Sequence, residues 1–406
     1  MPIMRDPHFG TPLIAHTKYM APMDDAIIFG TVPAPRCWAT IEQLAATRSS
    51  GVSIERIAEP IGQRAYEYPQ IERGATTWQT LPASIVPGPY VATLRGGVSY
   101  GRNCVAITAD NIAVRESGNH FEQEAHGEAK PWRFPSLRGW RQRWKDDVIL
   151  RRRLPRRRRI DARVAILNMR CSHNYYHWLL DVMGRIGTLR RGRVAADFYL
   201  VDCVTPFQRN ALAALGINEA QLIQPHFGLS LQAEELLLPC FPTAVCLQTF
   251  RRELLQAFHR ERMIVPVRPE GQRLFISRRQ ANTRRLGNER DVVSFLREHG
   301  FETHCLEDYS LEQQCQLLQS AEMIVAAHGA GLANLIFARP DAAVIEIVQN
   351  DRYNIDLFPR LSRVVGLSHC QVIAPRAQHK QVLQPALADL KMALDQTEPI
   401  RRRRAA

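Results

Sequence analysis

Apolar and polar positions along this chain fall into two regimes. Up to residue 95 the sequence is rich in Pro, Gly and turn residues and its periodic signals are weak. Residues 98–114 alternate in short apolar pieces around Asp110 and Asn111, a pattern that predicts a β-hairpin or small meander. Trp132, Trp140 and Trp144 then interleave with arginines, and the basic run that follows contains Pro155 and reads as a connection into a new domain. From residue 161 onward strands and helices alternate. Residues 164–167 predict a strand, 174–190 a helix, 198–201 a strand, and 206–215 a helix stopped by Gly216. Residues 222–238 fit neither period. A linking helix is expected over 249–262, with Pro266 and Pro269 closing that half. Beyond it, strands are expected at 274–276, 301–305, 322–327 and 343–348, and helices at 289–299, 310–320 and 330–337. Ser310 followed by Gln313 matches a capping box. Such alternation means a parallel sheet covered on both faces, the α/β class.

With 406 residues the chain exceeds what one core usually serves. The expected divisions are a poorly defined N-terminal extension with β content (1–95), a β-meander and basic connection (96–160), two α/β domains (161–265 and 266–385) and a C-terminal tail (386–406). Nine cysteines without a C-x-x-C pair argue against a disulfide framework or zinc site and fit a reducing compartment. The N-terminal residues lack the features of a secretory signal, and no stretch reaches the ~20 apolar residues that span a bilayer. A cytoplasmic protein is expected, with peripheral contact at the inner face of a membrane left open.

The net charge of +13 concentrates in residues 133–163, which hold twelve arginines, and in 401–404. A solvated surface, anionic lipid headgroups and nucleic acid each account for such runs. No nucleic-acid-binding signature accompanies the charge, which places that partner last.

Three segments carry candidate chemistry. In Ala326-Ala327-His328-Gly329-Ala330-Gly331-Leu332-Ala333-Asn334 an apolar strand runs into a glycine turn and a helix start. Ligands bind at such strand ends, and free N–H groups there attract phosphate. Asn334 in the sixth place removes the dinucleotide fingerprint G-x-G-x-x-G, and a plain tight turn accounts for the same residues. The second segment, Ser277-Arg278-Arg279 with Arg284, Arg285, Asn288 and Glu289, puts arginines past a strand end, where they can grip a diphosphate. In an arginine-rich protein a solvated loop reads the same way. In the third, a 100° turn per residue gathers Asn174, His177, Asp181 and Arg185 on one polar stripe. Asp181 would orient the His177 imidazole as a general base; a surface stripe is the alternative. Glu346, within an apolar strand, suits a ribose hydroxyl or a structural ion pair equally. D-x-D, P-loop, H-E-x-x-H and G-x-S-x-G motifs are absent.

Together, N-Y-Y-H-W-L-L-D, I-S-R-R…R-R-L-G-N-E, H-G-A-G-L-A-N-L-I-F and V-I-E-I resemble glycosyltransferase family 61, over roughly residues 95–370. The resemblance implies a GT-B fold of two Rossmann-like domains facing a cleft, with inverting chemistry, no metal and no cofactor. It makes 161–265 the acceptor-side domain and 266–385 the nucleotide-sugar domain. Ser277, Arg278, Arg285, Asn288, Glu289, His328, Gly329, Ala330, Gly331 and Glu346 would form the donor side. Asn174 and Tyr175 would lie on the acceptor side, with His177 and Asp181 catalytic. His369 stands where the family would have tyrosine, a departure expected to bear only on C-terminal packing. The implied partners are a nucleotide-diphosphate sugar and a glycan or lipid-linked glycan acceptor in polysaccharide biosynthesis. The competing readings are a non-catalytic nucleotide- or glycan-binding protein of the same fold, and an anionic-membrane or nucleic-acid adaptor using the arginine run.

Overall fold

A computed structural model describes residues 31–35, 37–47, 51–117, 153–260, 271–349, 355–375 and 382–405. Trp132, Trp140, Trp144 and the arginines of 133–152 lie outside the described residues. The remainder is mixed α/β, organised by two large sheets.

In the first sheet, strands Leu222–Ile223, Phe198–Leu200, Arg158–Ile166 and Ser230–Pro239 run parallel in that order. Ser230–Pro239 also pairs antiparallel with Tyr90–Arg95 and Val98–Tyr100. From there Val105–Ile107 and Ala113–Val114 complete the antiparallel meander. Residues 222–238, which fit neither period, thus supply two strands. Ser230–Pro239 has neighbours on both edges and ends in the buried run Leu236-Leu237-Leu238, so it lacks the alternation of a half-exposed strand.

The second sheet places Phe301–His304, Gln272–Ile276, Ala321–Ala327, Ala343–Gln349 and Ser368–Ala374 side by side, all parallel. It is extended by Tyr66–Glu72, parallel to Ser368–Ala374, and by Ala75–Leu81, antiparallel to that strand. The first ninety-five residues therefore feed both sheets, because Val52–Arg56 pairs with Tyr90–Arg95 in the first. The hairpin turns at Arg73 and Gly74, both at positive φ (52° and 74°), the geometry that suits a two-residue hairpin. Their N–H groups donate to the Asp389 carboxylate at 3.0 and 2.7 Å. Asp389 belongs to the helix Leu387–Ala405, formed by residues expected as a tail. Its Leu390, Ala393 and Leu394 pack with Ile345 and Val372 of the second sheet.

Between the sheets, helix Met183–Gly192 lies against helix Ala244–Arg260 at very short range. A Cβ on Gly187 would sit 2.2 Å from the Cys246 carbonyl oxygen. The largest apolar cluster runs from Trp178, Leu179 and Phe250 of the first half to Leu332, Ile336 and Phe337 of the second. Phe250 meets Phe337 edge-on, with centroids 6.2 Å apart. No helix among the described residues is long and apolar enough to cross a membrane.

Candidate active site between the two halves

The expected helix over 174–190 begins with a widened π-type turn, His177–Val182, before the α-helix Met183–Gly192. The extra residue in that turn rotates everything after it relative to a straight α-helix, so the predicted polar stripe breaks. Arg185 leaves the stripe and is buried, donating to the Leu167 and Asn168 carbonyls at 3.3 and 3.0 Å. His177 and Asp181 stay together, with Nδ1 2.7 Å from Oδ2. Asp181 is only 5% exposed, whereas the His177 side chain retains 30%. An ionised carboxylate only accepts, so Nδ1 carries the proton.

Across from this pair, strands Ala321–Ala327 and Ala343–Gln349 end in register, Ala326 opposite Glu346. His328 follows the first of them, its Nδ1 2.6 Å from Glu346 Oε1. Glu346 Oε2 accepts from Gln371 Nε2 at 2.9 Å and lies 3.0 Å from His369 Nε2. Ser362 Oγ stands 2.8 Å from the other ring nitrogen of His369. Burial alone would raise the Glu346 carboxyl, but hydrogen bonds from His328 and His369, together with their charge, outweigh it and hold the group at about 2. Glu346 is fully buried with both oxygens engaged, so it positions His328 and does not face the cavity. His369 is likewise more than a packing residue: it is the second histidine on that carboxylate.

Gly329 turns the chain in extended geometry, at φ 170°. Its lack of a side chain is used for space, because a Cβ there would fall 1.8 Å from Arg278 Nη1. The Arg278 guanidinium thus lies across the corner and donates to the Thr283 carbonyl at 3.0 Å. Burial, followed by the neighbouring charge of Arg284, lowers its pKa against the opposing pull of Glu307. Ala330–Phe337 continues as a tightened 3₁₀ helix where an α-helix was the natural expectation.

One cavity of about 370 Å³ lies between His177 and the His328–Ala330 corner. Asn174, Tyr176 and His177 line it from the first half; Arg284, His328, Gly329 and Ala330 line it from the second. His177 and His328 therefore face a common crevice. Other expected site residues stand elsewhere. Tyr175 does not line the cavity; its hydroxyl donates to Asn334 Oδ1 at 2.8 Å, tying the halves together. Ser277 bonds Glu289, and Asn288 donates to the Pro385 carbonyl at 3.0 Å, so all three brace the loop that carries the arginines. Arg285 is exposed in the short strand Arg285–Leu286; its neighbour Arg284 lines the cavity instead. Gly331 is off the lining, its carbonyl accepting from Asn334 Nδ2 at 3.2 Å.

Arg284 was missed as a lining residue because its left-handed φ of 55°, which decides where its side chain leaves the chain, has no signature in an arginine run. Asn334 did carry a signal: a lone amide in an otherwise apolar helix must find partners, and it bonds Tyr175, Gln314 and Gly331. Among the described residues no three His, Cys, Asp or Glu side chains cluster as a metal ion would require.

The mixed α/β chain thus holds a polar cavity between two sheet-based halves, backed by two histidine–carboxylate pairs. Residues 175–345 match the model of the family Glycosyltransferase 61. That stretch is similar to glycosyltransferase family 61, a family of sugar-transferring enzymes. No curated protein matches the chain.

Proposed function

We propose that the protein is an inverting, metal-independent glycosyltransferase with a GT-B arrangement, residues 161–265 serving the acceptor and 266–385 the nucleotide sugar. The donor is a nucleotide-diphosphate sugar, and the acceptor a glycan or lipid-linked glycan of polysaccharide biosynthesis. The observation that carries this reading is the single cavity lined by His177 and His328, each fixed by a buried carboxylate.

In this reading the diphosphate rests at Gly329 and Ala330, where the helix start presents N–H groups. Arg284 from the cavity wall, with Arg278 behind the corner, offsets the charge that grows on the leaving group. His328, its Nδ1–H held by Glu346, offers Nε2 to the donor. On the opposite side His177 removes the acceptor proton through Nε2 as the hydroxyl attacks the anomeric carbon. Asp181 holds the imidazole in that tautomer and stabilises the imidazolium that forms. Attack on one face with departure from the other inverts the anomeric centre.

The test is His177→Ala assayed against a panel of nucleotide sugars. Transfer should fall by about 10²–10⁴-fold, the range for losing a general base, while nucleotide-diphosphate affinity stays within twofold or so. Full activity in the variant would remove His177 from the mechanism. A panel in which wild-type protein neither binds nor turns over any nucleotide sugar would remove the whole reading.

A further inference from the structure

A second cavity, of about 340 Å³, adjoins the first. Tyr176 and Leu357 line both. Asp181 lines the second while holding His177, which lines the first. The two spaces are thus separated by little more than one tyrosine ring and the hydrogen-bonded His177–Asp181 pair. Their walls differ in character. The second is mainly apolar, built from Val86, Leu180, Phe241, Pro242, Leu247 and Leu361. Its volume falls within the usual range for small-molecule sites, which pair apolar walls with a few placed polar groups.

The charged side chains on its wall are Asp181, which is engaged with His177 at 2.7 Å, and two arginines. Arg360 and Arg363, on helix Leu357–Val365, both line this cavity. Arg363 donates to the Pro82 carbonyl at 3.2 Å and to Gln63, both uncharged acceptors. Neither arginine has a carboxylate partner among the described residues. Burial, with the charge of Arg360 second, lowers the Arg363 pKa. Beside the mouth, the ribbon of Ile61–Gln63 and Ser84–Val86 presents two apolar side chains to the surroundings, Ile61 and Ile85, the latter 78% exposed. Apolar walls, two arginines with no carboxylate partner among the described residues and an apolar rim together match an amphiphile with an anionic group next to its apolar chain.

We propose that this second cavity receives the apolar, phosphate-bearing part of an amphiphilic acceptor. Its phosphate lies at Arg360 and Arg363, and its sugar passes Tyr176 to reach His177. The assignment of the sugar end rests on the transferase reading above; the binding of the amphiphile itself does not. A free glycan would leave the apolar walls and both arginines unused.

Isothermal titration of the full chain with decyl phosphate below its micelle concentration, decyl maltoside and inorganic phosphate tests this directly. Decyl phosphate should bind at least about tenfold more tightly than either of the others, as expected when apolar and charge-assisted contacts act together. Arg360→Gln should weaken decyl phosphate roughly tenfold, the loss of one charge-assisted bond, and leave decyl maltoside unchanged. Ala244→Trp, which fills the cavity, should weaken both amphiphiles; should that variant not fold, Arg360→Gln still decides the matter. Binding of nucleotide diphosphates should be the same in wild type and both folded variants. Decyl phosphate that binds no better than inorganic phosphate, or equally well to Arg360→Gln, overturns the proposal. If decyl phosphate behaves as stated and no nucleotide diphosphate binds, the transferase reading falls and the amphiphile site stands.

Discussion

Replacing Glu346 by glutamine changes one atom and tests the buried centre of the site. The carboxylate is fully buried and serves three donors: His328 at 2.6 Å, Gln371 at 2.9 Å and His369 at 3.0 Å. It titrates near 2 in the folded chain against 4.5 for an ordinary glutamate. That difference is worth roughly 3 kcal/mol of folding stability at neutral pH. Because the folded value is the lower one, the contribution is complete above the unfolded value and lost as pH falls from about 4.5 to about 2. In Glu346→Gln the amide oxygen still accepts from His328, but its NH₂ confronts the donors of Gln371 and His369. His369 can shift its proton towards Ser362 and so accept; Gln371 has no such recourse and keeps a mismatched donor. Urea denaturation of wild type and variant should differ by about 3 kcal/mol at pH 7, narrowing to about 1.5 kcal/mol near pH 3. A difference that stays constant over that interval would show that Glu346 does not act as a paired carboxylate.

Other expectations concern packing and the cavity. Gly187→Ala drives a methyl to within 2.2 Å of the Cys246 carbonyl, so the two helices must separate; the loss should be about 1–3 kcal/mol, read from a shifted urea midpoint. Arg284→Ala should weaken nucleotide-diphosphate binding about tenfold, whereas Arg285→Ala should not, as calorimetry on both variants would show. Tyr175→Phe removes the hydroxyl that reaches Asn334 between the halves and should cost about 1 kcal/mol in stability without altering nucleotide affinity.

Much of the second half was legible before any coordinates. Its strands and helices lie close to where period and capping put them, down to Ser310 and Gln313 closing both bonds of the capping box. Local rules suffice there because each strand is buried on two faces and each helix begins and ends at a recognisable residue. The early residues were not legible for the opposite reason. Tyr66–Glu72 contains Pro69, which argues against a strand, yet its parallel ladder engages only Gln70 and Ile71. Its partner is some three hundred residues away, and no local window records that pairing.

The chemistry divides along the same line. His177 and Asp181 are four residues apart and His328 sits at a strand end, so near-neighbour geometry in the sequence was enough to single them out. That these two histidines share one cavity, that Arg284 and not Arg285 reaches it, and that His369 and Gln371 surround Glu346 are consequences of strand order and one π turn. Sequence records which groups the chain carries and how neighbours along it are spaced. Which distant groups meet depends on how the sheets pair and where the backbone departs from ideal periodicity, and those are settled only when the whole core packs.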